Sequence, residues 1–210
     1  RIDRDDDMIM TGKRHQFEFD YEVGFSNKGK INGIKILMAS NCGISADLSG
    51  AINDRAIYHI DNAYYIPNLE LISHRCKTNT VSNTAFRGFG GPQGMLAIEN
   101  ILDNVANYLK ISLDEVRKNN YYNQNNGFIT PYGQVVKHSK LDVIIKEIYK
   151  FSNLKKRQKE IAVFNQNQIK NKTSLRKGLA MMPAKFGISF NKPSLNQAGS
   201  LIHVYSDGSI

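Results

Sequence analysis

From Gln16 to Ser26 apolar and polar positions alternate, with Phe17, Phe19, Tyr21, Val23 and Phe25 on one face. Period two sustained over that length predicts a strand with one buried side. Asn27-Lys28-Gly29-Lys30 supplies a turn, and Ile31 to Ala39 returns with Ile34, Ile36 and Met38 on one face, so the two runs form a hairpin.

The period then changes. Asp47 stands as an N-cap for a helix over about 48–62. Leu48, Ile52, Arg55 and His59 form one stripe, Ala51 and Ala56 lie beside it, and Pro67 stops it. Residues 68–94 are rich in Asn, Thr, Ser and Gly and predict an irregular segment. An uninterrupted loop of that length is usually functional or disordered, and Val81, Phe86 and Phe89 argue against disorder. Met95, Ile98, Leu102, Val105 and Leu109 predict a helix over 94–109. Ser112-Leu113-Asp114-Glu115 is a capping box opening a short helix to Lys118. Residues 119–139 read as loop, with Asn-Asn-Gly at 125–127 and Pro131. Ser139 caps an amphipathic helix through Leu141, Ile144, Ile145, Ile148 and Phe151, and a second helical piece covers 154–169. Leu179–Phe190 and Ser200–Tyr205 read as strands. The chain is therefore expected to be α+β, with mixed sheets and packed helices. It divides into a hairpin plus helix (1–66), a Gly-rich loop plus helices (67–118), a helical basic stretch (119–177) and terminal strands (178–210).

Composition narrows the class. With 210 residues, 41% of them hydrophobic, the chain can build a core. No run approaches the roughly 18 apolar residues of a membrane span, and the charged opening from Arg1 to Asp7 lacks the apolar region of a signal peptide. That acidic run also lacks the Gly and the closing Glu of a calcium loop and reads as a charged end. Cys42 and Cys76 exclude a disulfide-dense scaffold, a CxxC site and iron–sulfur ligation within this chain, and they suit a reducing, cytoplasmic setting. The net charge of +9 is concentrated: residues 155–177 hold eight cations against Glu160 alone, net +7. Aromatics do not closely interleave those cations and no RNA-binding motif appears, so a solvated face is the default, with a non-catalytic nucleic-acid-binding fragment as a competing reading. The chain opens inside a charged run and closes on a strand followed by Ser206-Asp207-Gly208-Ser209, which reads as a piece of a longer polypeptide.

The segment with most chemistry is Thr84-Ala85-Phe86-Arg87-Gly88-Phe89-Gly90-Gly91-Pro92-Gln93-Gly94. Its glycines permit positive φ and close approach, and it runs into a helix N-terminus, where free N–H groups favour an anion or an electron-rich oxygen. It matches neither the dinucleotide fingerprint nor a Walker loop. The competing reading is a tight loop whose glycines only permit packing. Arg55 lies on a stripe that otherwise faces the core, and a buried cation needs a partner. Asp54 or Asp61 is the structural choice; an anionic substrate or a developing negative charge is the functional one. His59 reads as a satisfied helix histidine, and His74-Arg75-Cys76 has too few companions for a metal site.

A longer pattern runs through these residues. Asp3-Arg4-Asp5-Asp6-Asp7-Met8, Cys76-Lys77-Thr78-Asn79, the string Ser82–Gly94, Lys185-Phe186-Gly187-Ile188-Ser189-Phe190 and Leu195-Asn196-Gln197-Ala198-Gly199 closely resemble, in this order, the molybdenum-cofactor-binding region of xanthine dehydrogenases in the xanthine oxidase/aldehyde oxidase family. The resemblance covers nearly the whole chain and is weakest over about 119–176. It implies a molybdenum hydroxylase of purine catabolism, oxidising hypoxanthine to xanthine and xanthine to urate with oxygen from water. It also implies molybdenum held by molybdopterin, and [2Fe–2S] clusters, FAD and NAD on other domains or subunits. The remaining molybdopterin-binding region and the iron–sulfur and FAD units are then the partners.

By position, the resemblance makes Arg87 the residue whose backbone lies against molybdenum, with Phe86, Gly88 and Gly90 beside the cofactor. Phe89 becomes the aromatic that stacks on the purine. Arg55 holds a substrate oxygen and stabilises charge on the heterocycle, making it both substrate-binding and catalytic. Aldehyde oxidases lack that arginine, so Arg55 favours a purine; oxidation of aldehydes or other N-heterocycles is the alternative. The family's catalytic and second substrate-binding glutamates have no counterpart in these 210 residues, so the chain alone is expected to be inactive.

Overall fold

The computed structural model describes residues 1–137 and 139–210. The expected hairpin forms. β1 (Phe17–Phe25) pairs antiparallel with β2 (Ile31–Gly43), Phe19 opposite Met38 and Val23 opposite Ile34. The turn closes through the Gly29 N–H on the Ser26 carbonyl at 2.8 Å, with Gly29 at φ +73°. β2 continues four residues beyond the predicted end and carries the sheet's central position.

A helix, called α2 because a short α1 (Arg4–Met10) precedes the hairpin, covers Ser49–Tyr58. Asp5, Asp6 and Asp7 make α1 more than a charged end: they occupy its first turn, where the helix dipole favours them. α2 departs from expectation at both ends. Leu48, not Asp47, takes the N-cap position without a side-chain bond, and the helix stops at Tyr58, giving way to turns through Ala63.

Behind α2 lies the main correction to the sequence reading. Leu69–Lys77, expected to be irregular, is a nine-residue strand, β3, parallel to β2 with Ile34 opposite Leu69 and Met38 opposite Ser73. The sheet order is β1-β2-β3, a mixed sheet in which α2 makes the crossover that parallel pairing requires. β3 escaped the period-two test because polar Ser73 and Arg75 continue the row begun by Leu69 and Leu71. Ser73 is not idle there, since its hydroxyl donates to Asn53 Oδ1 on α2 at 3.0 Å.

α3 (Gly91–Leu109) and α4 (Leu113–Asn120) follow, and the predicted cap is present: Ser112 Oγ accepts the Glu115 N–H at 3.2 Å. The core is Ile34, Ile36 and Met38 of β2 against Ala56 and Ile60, and against Ile98, Ile101, Leu102 and Val105 of α3. Within it Arg117 pairs with Glu99 at 2.8 Å, and Glu99 also accepts from Asn62 and the Tyr64 hydroxyl.

α4 takes in residues 119 and 120 of the predicted loop; residues 121–137 and 139 are loop apart from isolated bridges such as Ile129 with Val135, and position 138 lies outside the described residues. α5 (Leu141–Phe151) and α6 (Leu154–Lys170) form, but Ile144, Ile148 and Phe151 of the α5 stripe are exposed, and only Leu141 and Ile145 pack against the core. Among the described residues, no helix is long and apolar enough to cross a membrane.

Neither terminal strand forms. Residues 179–190 run as an extended strap whose backbone bonds go to side chains of α2, its following turns and α4 rather than to a neighbouring strand. Residues 200–205 are likewise not a strand, although the Ser-Asp-Gly-Ser turn closes through the Gly208 N–H on the Tyr205 carbonyl at 3.0 Å.

Candidate functional site

Phe86–Gly90 is the turn that delivers the chain into α3. Gly88, Phe89 and Gly90 all have positive φ, at 88°, 53° and 95°. The turn is closed by the Phe89 N–H on the Phe86 carbonyl at 2.8 Å and the Gly91 N–H on the Gly88 carbonyl at 3.0 Å. A Cβ at Gly90 would lie 2.0 Å from the Ile52 carbonyl oxygen, and one at Gly94 2.3 Å from that of Ala56. These two glycines thus serve the close crossing of α3 over α2, as the packing reading required. Gly88 serves the turn.

The turn also leaves donors open. Among the described residues, the N–H groups of Arg87, Gly88 and Gly90 have no acceptor. Arg14 completes this edge: its guanidinium lies 4.4 Å over the Phe86 ring, and Nη2 donates to the Arg87 carbonyl at 2.6 Å. Its Nη1 is buried with no partner among the described residues. Free N–H groups at a helix N-terminus beside an unpaired guanidinium N–H suit an anionic, oxygen-rich ligand.

Arg55 projects from α2 toward the same region and is 5% exposed. Neither Asp54 nor Asp61 neutralises it, which corrects the structural expectation. Asp61 is taken by Lys185 Nζ at 2.6 Å and by the Tyr122 hydroxyl at 2.6 Å. Arg55 instead donates to the backbone carbonyls of Gly187 and Ser189 in the strap. Carbonyl dipoles satisfy N–H groups without cancelling a charge, so a desolvated positive charge remains. Burial lowers its pKa from the ordinary arginine value, the direction expected for a cation without a counterion. Nε has no partner. The guanidinium stands 6.0 Å from the Phe89 ring and 5.2 Å from the Phe186 ring.

The tertiary structure therefore brings Arg55 and Phe89 together across 34 positions of sequence and sets both beside the turn that holds Phe86, Arg87, Gly88 and Gly90. It adds residues that the residue chemistry did not single out. Phe190 packs against Phe89 with centroids 5.3 Å apart. Asn191 donates to the Ala51 carbonyl at 2.7 Å and leaves a buried Oδ1 unpartnered. Arg55, His59, Phe186, Gly187, Ser189 and Asn191 share the wall of an open pocket of about 940 Å³. The only signal for Phe186 and Phe190 was their place in the resembling segment 185–190, because an extended strap has no periodicity to betray its contacts. His74 and Cys76 lie on β3 away from this pocket, and among the described residues no group of three or more His, Cys, Asp or Glu could hold a metal ion.

Comparison with known proteins gives the family and the fold. Residues 1–121 match the family model of the molybdopterin cofactor-binding domain. The whole chain is 46% identical to the xanthine dehydrogenase/oxidase of Gallus gallus over 210 residues, and 44% identical to xanthine dehydrogenase 1 of Arabidopsis thaliana over 209. It spans about 15% of the length of each. Among solved structures, the aldehyde oxidoreductase from Desulfovibrio gigas superposes with a TM-score of 0.63 at 28% identity, covering 71% of this chain and 16% of that one. A Cu,Mo-CO dehydrogenase superposes with a TM-score of 0.70 at 18% identity, covering 82% of this chain and 22% of that one, and supports the fold. The family match takes in the hairpin, α2, β3, α3 and the turn between them, and the chain belongs to the molybdopterin cofactor-binding domain family.

Proposed function

We propose that this chain forms one wall of the active site of a xanthine-dehydrogenase-type molybdenum hydroxylase whose substrate is a purine. One observation carries the reading: a buried arginine with no carboxylate partner among the described residues stands beside the half-buried aromatic of a Gly-rich turn at a helix N-terminus.

The free N–H groups of Arg87, Gly88 and Gly90 and the unpartnered Nη1 of Arg14 fit an anionic pterin cofactor, with Phe86 held beneath Arg14. Bound there, molybdenum on its pterin would supply the two-electron redox chemistry and the activation of water. Phe89 offers a face on which a flat heterocycle stacks. Arg55 Nε is a buried donor and Asn191 Oδ1 a buried acceptor on one pocket wall, complementary to the carbonyl and ring N–H of an oxidised purine.

Attack of an oxygen nucleophile on a purine carbon pushes negative charge into the ring. Arg55 meets that charge from a desolvated position, so it stabilises the transition state more than the neutral ground state. Attack on an aldehyde leaves the charge on its carbonyl oxygen rather than in a heterocyclic ring, so an aldehyde gains less from the arginine. Iron–sulfur and FAD units, and NAD as final acceptor, belong to the rest of such an enzyme, for which the free Cys42 and Cys76 suit a reducing cytoplasm.

The test is Arg55→Met in the full-length enzyme. Loss of one charge-assisted contact to the transition state is expected to lower kcat/KM for xanthine by at least about a hundredfold. Turnover of an aromatic aldehyde should fall far less. Equal losses for both would overturn the purine assignment while leaving the family intact.

A further inference from the structure

His59 lies at the centre of the contact between α2 and the strap and is 5% exposed. Both ring nitrogens are engaged. Nδ1 is 2.8 Å from the Arg55 carbonyl one turn back, and Nε2 is 3.0 Å from the Gly187 amide nitrogen. A carbonyl only accepts and an amide N–H only donates, so Nδ1 carries the proton and Nε2 is bare. The two contacts select one neutral tautomer.

The same strap residue is held on its other side by Arg55, whose Nη1 donates to the Gly187 carbonyl while Nη2 reaches that of Ser189. The orientation of the guanidinium is thus set by two carbonyls, and one of them belongs to the residue that His59 holds. Phe186 packs against both groups, 4.7 Å from the imidazole centroid and 5.2 Å from the guanidinium carbon. The rest of the strap is pinned along the same face: Lys185 by Asp61 and Asn62, and Asn191 by the Ala51 carbonyl.

We propose that His59, as its neutral Nδ1–H tautomer, is a positioning residue that holds Gly187 and so fixes the aim of Arg55, and that protonating this imidazole releases the arginine from its working orientation. This rests on the role given to Arg55 above. Protonation would place an N–H on Nε2, pointing a donor at the Gly187 donor. It would also set a third positive charge beside Arg55 of α2 and Lys185 of the strap. Lys137 and the Tyr132 hydroxyl line the same pocket, and Asp61, the nearest acid on the turn after α2, is already matched by Lys185. Burial, together with Arg55 and Lys185, holds the His59 pKa below its ordinary value, so the clamp is closed at neutral pH and opens in acid.

His59→Gln keeps an uncharged acceptor that does not titrate, and His59→Leu removes the acceptor. The first readout, in the full-length enzyme, is hydrogen exchange of the peptide 183–191 by mass spectrometry, corrected for intrinsic pH dependence. Wild-type exchange should accelerate as pH falls below the ordinary histidine value of 6.5, stay slow in H59Q, and be fast at every pH in H59L. The second readout is the KM for xanthine. H59L should raise it about tenfold at neutral pH, the effect of one buried hydrogen bond, and H59Q should flatten its rise in acid. Identical exchange profiles for wild type and H59Q would overturn the clamp, and that comparison stands even if H59L fails to fold. Exchange that titrates while KM does not follow would overturn the link to Arg55. Exchange as expected together with failure of the Arg55→Met test would instead remove the purine reading.

Discussion

Arg55 of α2 and His59, which caps the C-terminal end of that helix, hold opposite sides of a single residue, Gly187: the arginine takes its carbonyl and the histidine its N–H. That reciprocal hold ties the stability of the strap to a titratable ring in the middle of the site wall.

The pH dependence of folding follows from that burial. His59 has its pKa lowered by desolvation, and so does His15, buried against the Ser49 hydroxyl at 2.7 Å. Both take up protons in the unfolded chain near the ordinary value of 6.5 but only at lower pH when folded. Folding is therefore fully supported above about 6.5 and loses stability as pH falls from there through the folded values. Thermal unfolding of the intact enzyme between pH 7.5 and 5 should show Tm falling toward acid. The double variant His15→Gln/His59→Gln should show a shallower slope. Parallel slopes would mean that these two rings are not the source.

Gly90 is the position least able to change. At φ +95°, with its Cβ site 2.0 Å from the Ile52 carbonyl, it would force α3 off α2 if substituted. Gly90→Ala is expected to cost about 4 kcal/mol or more, or to prevent folding. Gly133, also at positive φ (82°) but with nothing within 4 Å of its Cβ site, is the control. There Ala should cost only about 1–2 kcal/mol of backbone strain. Denaturant unfolding of the two variants side by side decides the matter, and equal losses would show that contact with α2 is unimportant.

The Arg117–Glu99 pair, 2.8 Å apart and almost wholly buried, joins α4 to α3 and reaches the approach to the strap through the Arg117 Nη1 bond to the Met181 carbonyl at 3.0 Å. Arg117→Met leaves a buried carboxylate with only neutral donors and should destabilise by about 3–5 kcal/mol. Adding Glu99→Gln should recover part of that loss, because the stranded charge is gone. A double variant no better than the single would argue that packing, not charge, sets the loss.

Some of this architecture was legible along the chain. Phe17–Phe25 and Ile31–Ala39 declare a hairpin because alternation and turn chemistry act over neighbouring residues, and α3 and the Ser112 cap are visible for the same reason. The Gly88–Gly94 spacing signalled close approach and a helix mouth. What approached it was not legible: α2 at Gly90 and Gly94, and open donors at Arg87, Gly88 and Gly90.

The rest depended on partners distant in sequence. β3 is a strand because β2 offers it a parallel edge, which outweighs the polar residues that break its period. Residues 179–190 have strand-like composition, yet their N–H and C=O groups meet His59, Asn62 and Arg55 first, so they became a strap. Arg55 was readable as a buried cation from its stripe on α2. That it would be held by carbonyls 132 and 134 positions away, and so keep its charge for the pocket, is a long-range hydrogen-bonding outcome that no local pattern encodes.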